Sequence, residues 1–198
     1  MSDIKSNLCE AFFSIMNHTL NEEILIEDLC EKSGIQIEEA QKILPLSQKD
    51  YSSFFLKILI KKLDQKTIEE LQKEFNNDKI SSVYDKILEG IILRLEIYTP
   101  YKLSLKTLSI GLDIKTKNFF NLLSSNQNFM LKLLNLAEGN KNECKNIIKS
   151  LALNFVYFKT MDVFLKEEKS NLEKTIRILD NNLREFQDIG DVFGIIKK

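Results

Sequence analysis

Very little in this chain can interrupt a helix. Six glycines and two prolines are scattered over 198 residues, while apolar side chains return every three or four positions along nearly its whole length. Ile4, Leu8, Ala11, Phe12, Ile15 and Met16 set the pattern within Ile4 to Leu20, a spacing that gathers them on one face of a single helix. No strand-like alternation and no internal repeat occur. The chain is therefore expected to be all-α, with about nine helices.

The stretch EDLCEKSGIQIEEAQKILP, residues 27–45, has the order of a helix-turn-helix. A short helix ends at Lys32, Ser33 and Gly34 supply the turn, and a second helix runs from about Gln36 to Leu44, where Pro45 stops it. Asn21 to Glu23 suit a helix start, and Leu29, Ile35, Ala40, Ile43 and Leu44 close a three-helix unit with the first helix. Residues 1–46 then form a helix-turn-helix-like domain, and residues 47–198 a larger helical body for ligand binding and dimerisation. The body opens on a long helix from Ser47 or Lys49 to Phe75, with a break around Asp64 and a loop at Asn76–Lys79. The next helix ends at Pro100 and is apolar nearly all round, through Ile91, Ile92, Leu93, Leu95 and Ile97, which calls for a central, buried position. Two Phe- and Leu-rich helices follow, then one from about Asn142 to Glu168, and a last one from Leu172 to Ile189.

Composition narrows the chemistry. Hydrophobic residues at 43% and charged residues at 29% are ordinary for a globular protein. The most apolar run, Ser150 to Phe158, is too short for a membrane span, which needs about 20 residues, and no signal peptide is visible at Met1–Ser6. Cys9, Cys30 and Cys144 lie far apart with no paired spacing, so they read as reduced, buried thiols. With His18 as the only histidine, and no Ser or Cys beside an activating partner, neither acid-base nor nucleophilic catalysis finds a constellation. No cofactor and no metal site is expected, and no enzyme.

Net charge is −1, but residues 1–50 hold ten acids and four bases. Phosphate neutralisation supplies most DNA affinity, so an acidic helix-turn-helix is disfavoured as a DNA reader. Glu38 and Glu39 open the second helix where a reader would carry basic or amide groups. Gln36, Gln41 and Lys42 are the DNA-contact candidates if the protein is instead a ligand-responsive repressor.

The order of these segments resembles the TetR repressor superfamily, and within it the coenzyme Q (ubiquinone) biosynthesis accessory protein family. In DKILEGIILRLEIYTPYKLSL, Arg94, Leu95, Glu96, Pro100 and Tyr101 fall in register with that family's pattern. In the stretch from Ala137 onward, Gly139, Leu151, Tyr157, Thr160, Leu165, Thr175, Leu179, Asp180 and Leu183 do the same. Phe164 stands where the family has Trp, and Asn181 and Asn182 where it has paired Arg. The resemblance implies a TetR-like fold with a hydrophobic cavity for lipid or isoprenoid quinone intermediates. It further implies a homodimer joined through the last two long helices, and a di-iron hydroxylase partner to which apolar intermediates are presented.

On that expectation the lipid-binding candidates are Ile91, Arg94, Leu95, Tyr98, Phe119, Phe120, Phe129, Phe155 and Phe158. For any one of them core packing is the default, and the case for a cavity is collective. Arg94, in the middle of an apolar helix, needs a partner if buried, and Glu96 is too near in sequence to share its face. That partner is a carboxylate on another helix, or a ligand's polar head. Val192, Phe193, Ile195 and Ile196 beside Lys197 and Lys198 suit contact with an anionic membrane surface. The expected location is cytoplasmic, peripheral at the inner face of the membrane.

Overall fold

The computed structural model describes residues 2–19, 24–78, 80–111, 116–138, 143–168 and 171–192; the side chains of 2, 109–122, 143–145 and 188–192 are outside the description. Among the described residues there is no strand, and the all-α expectation holds. The helices are α1 (Ser2–Thr19), α2 (Ile26–Ser33), α3 (Ile37–Gln41), α4 (Tyr51–Asn77), α5 (Val83–Tyr98), α6 (Lys102–Gly111), α7 (Thr116–Glu138), α8 (Glu143–Lys166) and α9 (Glu173–Val192). Short 3-10 turns at Gln48–Asp50 and Thr99–Tyr101 lead into α4 and α6.

The chain divides into two compact units, residues 1–62 with 100–122, and residues 63–99 with 123–198. The first unit thus reaches past residue 46 and takes in a distant segment. Its core forms where the stripe of α1 meets α2, α3 and the start of α4: Leu8, Phe12, Met16, Leu29, Ala40 and Phe55 are all buried. Phe12 stacks on Phe55 at 4.8 Å between ring centroids, and Phe13 meets the Tyr101 ring edge-on at 5.8 Å. The Cys9 thiol is buried here and donates to the Phe55 carbonyl at 3.6 Å; burial pushes its pKa up to about 12. Cys9 and Cys30 are both free thiols, as the spacing predicted, while the side chain of Cys144 lies outside the described residues.

Gly34 ends α2 with φ +69°, its N–H donating to the Cys30 carbonyl at 2.9 Å, the left-handed cap that glycine adopts at least cost. The following helix is shorter than expected. It stops at Gln41, and the chain reaches Leu44 in turns whose N–H groups return to the Ala40 carbonyl. Pro45 accounts for this, because its ring disfavours helical backbone at the preceding residue. In contrast, α4 shows no break at Asp64 and persists through Asn76 and Asn77. Asp78 then turns the chain by accepting from the N–H groups of Ile80 and Ser81.

In the second unit, α5 begins with a reciprocal cap. The Ser82 hydroxyl accepts from the Asp85 N–H at 3.1 Å, while the Asp85 carboxylate accepts from the Ser82 N–H at 3.2 Å. Ile91, Arg94, Leu95 and Tyr98 share the fully buried face of α5, whereas Ile92, Leu93 and Ile97 are half-buried. The helix is thus central on one face rather than all round. Gly90 lets α5 approach α7 closely, since a Cβ there would collide with Leu133. α8 and α9 pack as an antiparallel hairpin. Its corner is held by buried Glu167, whose carboxylate accepts from the N–H groups of Lys174 at 2.8 Å and Thr175 at 2.9 Å in the first turn of α9.

Candidate functional site

The buried face of α5 brings a charge into the second unit. Arg94 is 2% exposed, a position tolerable for a guanidinium only with hydrogen-bonded countercharge. Asp64 of α4 supplies it: Nε donates to Oδ1 at 2.8 Å and Nη2 to Oδ2 at 2.9 Å, the two-pronged geometry that Arg and carboxylate share. The Tyr98 hydroxyl donates to the same Oδ1 at 2.7 Å. The third guanidinium nitrogen, Nη1, donates to the Asn126 side-chain carbonyl on α7.

Aromatic rings complete the enclosure. The guanidinium carbon lies 4.1 Å from the centroid of Phe129, 4.4 Å from that of Tyr157 and 5.3 Å from that of Tyr98. Burial alone would lower the guanidinium pKa; the two tyrosines and Asp64 more than reverse this, and it stays above its ordinary value. Burial pushes the Tyr157 phenol up to about 12 and raises Tyr98 well above its ordinary range. The partner that the sequence demanded for Arg94 is thus a carboxylate on another helix.

From Asn126 a line of side-chain amides runs into α8. Its Nδ2 donates to Asn154, the Asn154 amide donates to Gln127, and the Gln127 amide donates to Ser150. The Ser150 hydroxyl ends the line on the Ile147 carbonyl at 2.7 Å. Each amide both gives and accepts, so the polar groups of this interior segment satisfy one another.

A cleft of about 240 Å³ opens beside this polar seam. Ile87 of α5, Leu134 of α7, Leu153 of α8, and Leu183 and Phe186 of α9 form its apolar walls. Two charged residues, Glu138 and Lys149, also line it, and they are paired: Lys149 Nζ lies 2.7 and 2.8 Å from the two carboxylate oxygens. At the edge, the Tyr84 hydroxyl donates to Asp180 Oδ1 at 2.6 Å. Burial together with Asp180 pushes that phenol up to about 12, while the bonds from Tyr84 and Arg184 hold the Asp180 carboxyl below its usual range.

The structure places the lipid-binding candidates in three environments. Arg94, Tyr98 and Phe129 form the charge cluster, with Ile91 and Leu95 buried on the same helix face. Phe155 and Phe158 face solvent on α8, at 77% and 38% exposure. Phe119 and Phe120 belong to α7, but their side chains lie outside the described residues. None of the described candidates lines the cleft. Sequence reading missed Ile87, Leu134, Leu153 and the Glu138–Lys149 pair, because an apolar residue at a cleft and one in a core obey the same spacing. Leu183 and Phe186 were legible as the end of the stripe of α9, though not as a wall.

Gln36, Gln41 and Lys42 are exposed around α3, together with Glu38 and Glu39. The membrane-contact candidates Val192, Phe193, Ile195, Ile196, Lys197 and Lys198 fall outside the described side chains. His18 is exposed in the last turn of α1. Among the described residues no group of three or more His, Cys, Asp or Glu is arranged to hold a metal ion, and no helix is long and apolar enough to cross a membrane. No protein-family model matches the chain, and no curated protein matches it in sequence.

Proposed function

We propose that this protein is a non-enzymatic binder of an apolar chain, of the isoprenoid-quinone kind implied by its resemblance to coenzyme Q accessory proteins. It acts by holding such a chain in its helical body and presenting it to a hydroxylase partner. The observation that carries this reading is the cleft bounded by α5, α7, α8 and α9, with aliphatic and aromatic walls and one neutralised charge pair. Convergent polar groups in an apolar concavity are the usual form of a small-molecule site.

The volume limits the ligand. At about 240 Å³ the cleft lies below the roughly 300–1,000 Å³ of most small-molecule sites, so it suits a short prenyl segment rather than a whole polyprenyl tail. Arg94 is not the group that receives the head, since all three of its guanidinium nitrogens already donate within the protein. The repressor alternative gains nothing from α3: one short helix of five residues presents about 7.5 Å of length, and Glu38 and Glu39 are exposed along it.

Thermal unfolding with a quinone bearing two isoprene units tests the reading. At about 100 times its dissociation constant the ligand should add roughly 2.7 kcal/mol, or about 5–10 °C in Tm for a chain of this size. Ile87→Trp, which fills the cleft from a half-buried position, should abolish the shift. A wild-type Tm that does not respond, with no lipid in native mass spectra of protein purified from cells, would sink the proposal.

A further inference from the structure

The charge pair in the wall of the cleft has bonding capacity left over. Glu138, at the end of α7, and Lys149, buried on α8, meet with Lys149 Nζ 2.7 and 2.8 Å from the two carboxylate oxygens. Their side chains are 20% and 10% exposed, so little water reaches them. An ammonium carries three N–H donors, and a carboxylate about four acceptor positions. The pair engages two of each, and among the described residues neither side chain makes a further hydrogen bond.

No other charged residue lines the cleft among the described residues. Ser82 is engaged with Asp85 and Tyr84 with Asp180, and Gln187 adds an uncharged amide. Asp180, at the rim, is neutralised by Arg184. One N–H of Lys149 and the outward lone pairs of Glu138 are thus the polar valences set into an otherwise apolar concavity.

We propose that this pair receives the ligand's head and selects an uncharged hydroxyl, an alcohol or a phenol, on a short apolar chain. The inference rests on the reading of the cleft as a prenyl site. A hydroxyl matches what the pair leaves open: its oxygen accepts from the third N–H of Lys149, and its O–H donates to a carboxylate oxygen of Glu138. Both bonds are to charged groups and shielded from water, the conditions in which hydrogen bonds are strong.

Other heads fit worse, each for its own reason. The pair is neutral as a whole, so a carboxylate or phosphate meets the charge of Glu138 together with that of Lys149. It loses its hydration for no net attraction. An amine is in the same position with the signs reversed. An ether or a carbonyl only accepts: it takes the Lys149 N–H, while its chain dries the Glu138 oxygens and offers them no donor. Of a quinone and its reduced form, the reduced one carries the matching hydroxyls.

Isothermal titration calorimetry at neutral pH with geraniol, geranyl methyl ether, geranic acid and geranylamine tests the assignment. All four share the same two isoprene units, so only the head differs. Wild type should bind geraniol about 10-fold more tightly than the ether, and at least about 100-fold more tightly than the acid or the amine. Glu138→Leu combined with Lys149→Met makes the wall apolar, a change that folds tolerate when both partners go. It should bring alcohol and ether to within about 2-fold. Glu138→Gln leaves Lys149 as a lone cation and should reverse the preference, with geranic acid binding more tightly than geraniol.

Four results would overturn the head-group assignment and leave the cleft a prenyl site. They are equal affinity of wild type for alcohol and ether, an acid or amine that binds as tightly as the alcohol, a double variant that keeps the preference, and a Glu138→Gln variant that still favours geraniol. Binding of none of the four compounds overturns both the assignment and the site.

Discussion

Arg94 is held by chemistry that tolerates no half measure. Its charge is out of reach of water, and its three nitrogens and three ring neighbours are committed within the protein. Removing one partner of such a pair strands the other, at a cost of about 3–5 kcal/mol, whereas replacing both with apolar groups is often neutral. Arg94→Met alone is therefore expected to lower unfolding free energy by about 3–5 kcal/mol in urea titration. Asp64→Leu combined with Arg94→Met should recover most of the loss; a double variant as unstable as the sum of the two singles would refute this account of the pair. The sequence announced that Arg94 needs a countercharge and that Glu96 cannot be it. It did not identify Asp64, because thirty positions separate the two and several acids compete for the role. Phe155 and Phe158 were misplaced for a related reason: helical spacing reports which residues share a face, but not whether that face points inward.

Among the elements, the end of α2 was legible because Gly34 sets it. Ser82 and Asp85 fix the start of α5, a cap that the apolar spacing alone does not single out. Side-chain rhythm up to Pro45 carried α3 three residues past its end at Gln41, and rhythm placed a break in α4 that does not exist, since Asp64 is an ordinary helical residue whose side chain pairs with Arg94. Gly34 offers a clean measurement. No atom lies within 4 Å of where its Cβ would stand, so the penalty for Ala comes from the φ of +69° alone. Gly34→Ala should cost about 1–2 kcal/mol in chemical denaturation. Gly34→Asn should cost less, because Asn enters the left-handed region more readily; equal stability of Ala and Gly at this position would contradict the cap.

For the molecule as a whole, the all-α class was plain from the scarcity of breakers, while the division into units was not, since a segment brought back from residue 100 leaves no mark on local periodicity. One global property follows from phenols buried in the second unit. An unfolded tyrosine ionises near pH 10, whereas Tyr157 is pushed up to about 12 and Tyr98 is raised well above the ordinary value. Folded pKa values that exceed unfolded ones mean that this share of stability is intact below about pH 10 and is lost as pH rises through about 12. For Tyr157 alone, about two pKa units correspond to roughly 2–3 kcal/mol. Urea midpoints should therefore fall between about pH 10 and 12, and Tyr157→Phe, which keeps the ring beside Arg94, should make that fall shallower. An unchanged slope in that variant would remove Tyr157 from the explanation.

The interrupted first unit has a consequence for how the chain is made. A ribosome delivers residues in order, so α1 to α3 emerge long before residues 100–122 that complete their unit. By then α5 has already been released with Arg94 on its apolar face, well ahead of the Phe129 and Tyr157 rings that enclose the guanidinium. Neither unit can be finished while the nascent chain stops short of residue 122. Synthesis thus passes through a stage in which two incomplete cores are exposed together, the interval in which a chaperone has most to do.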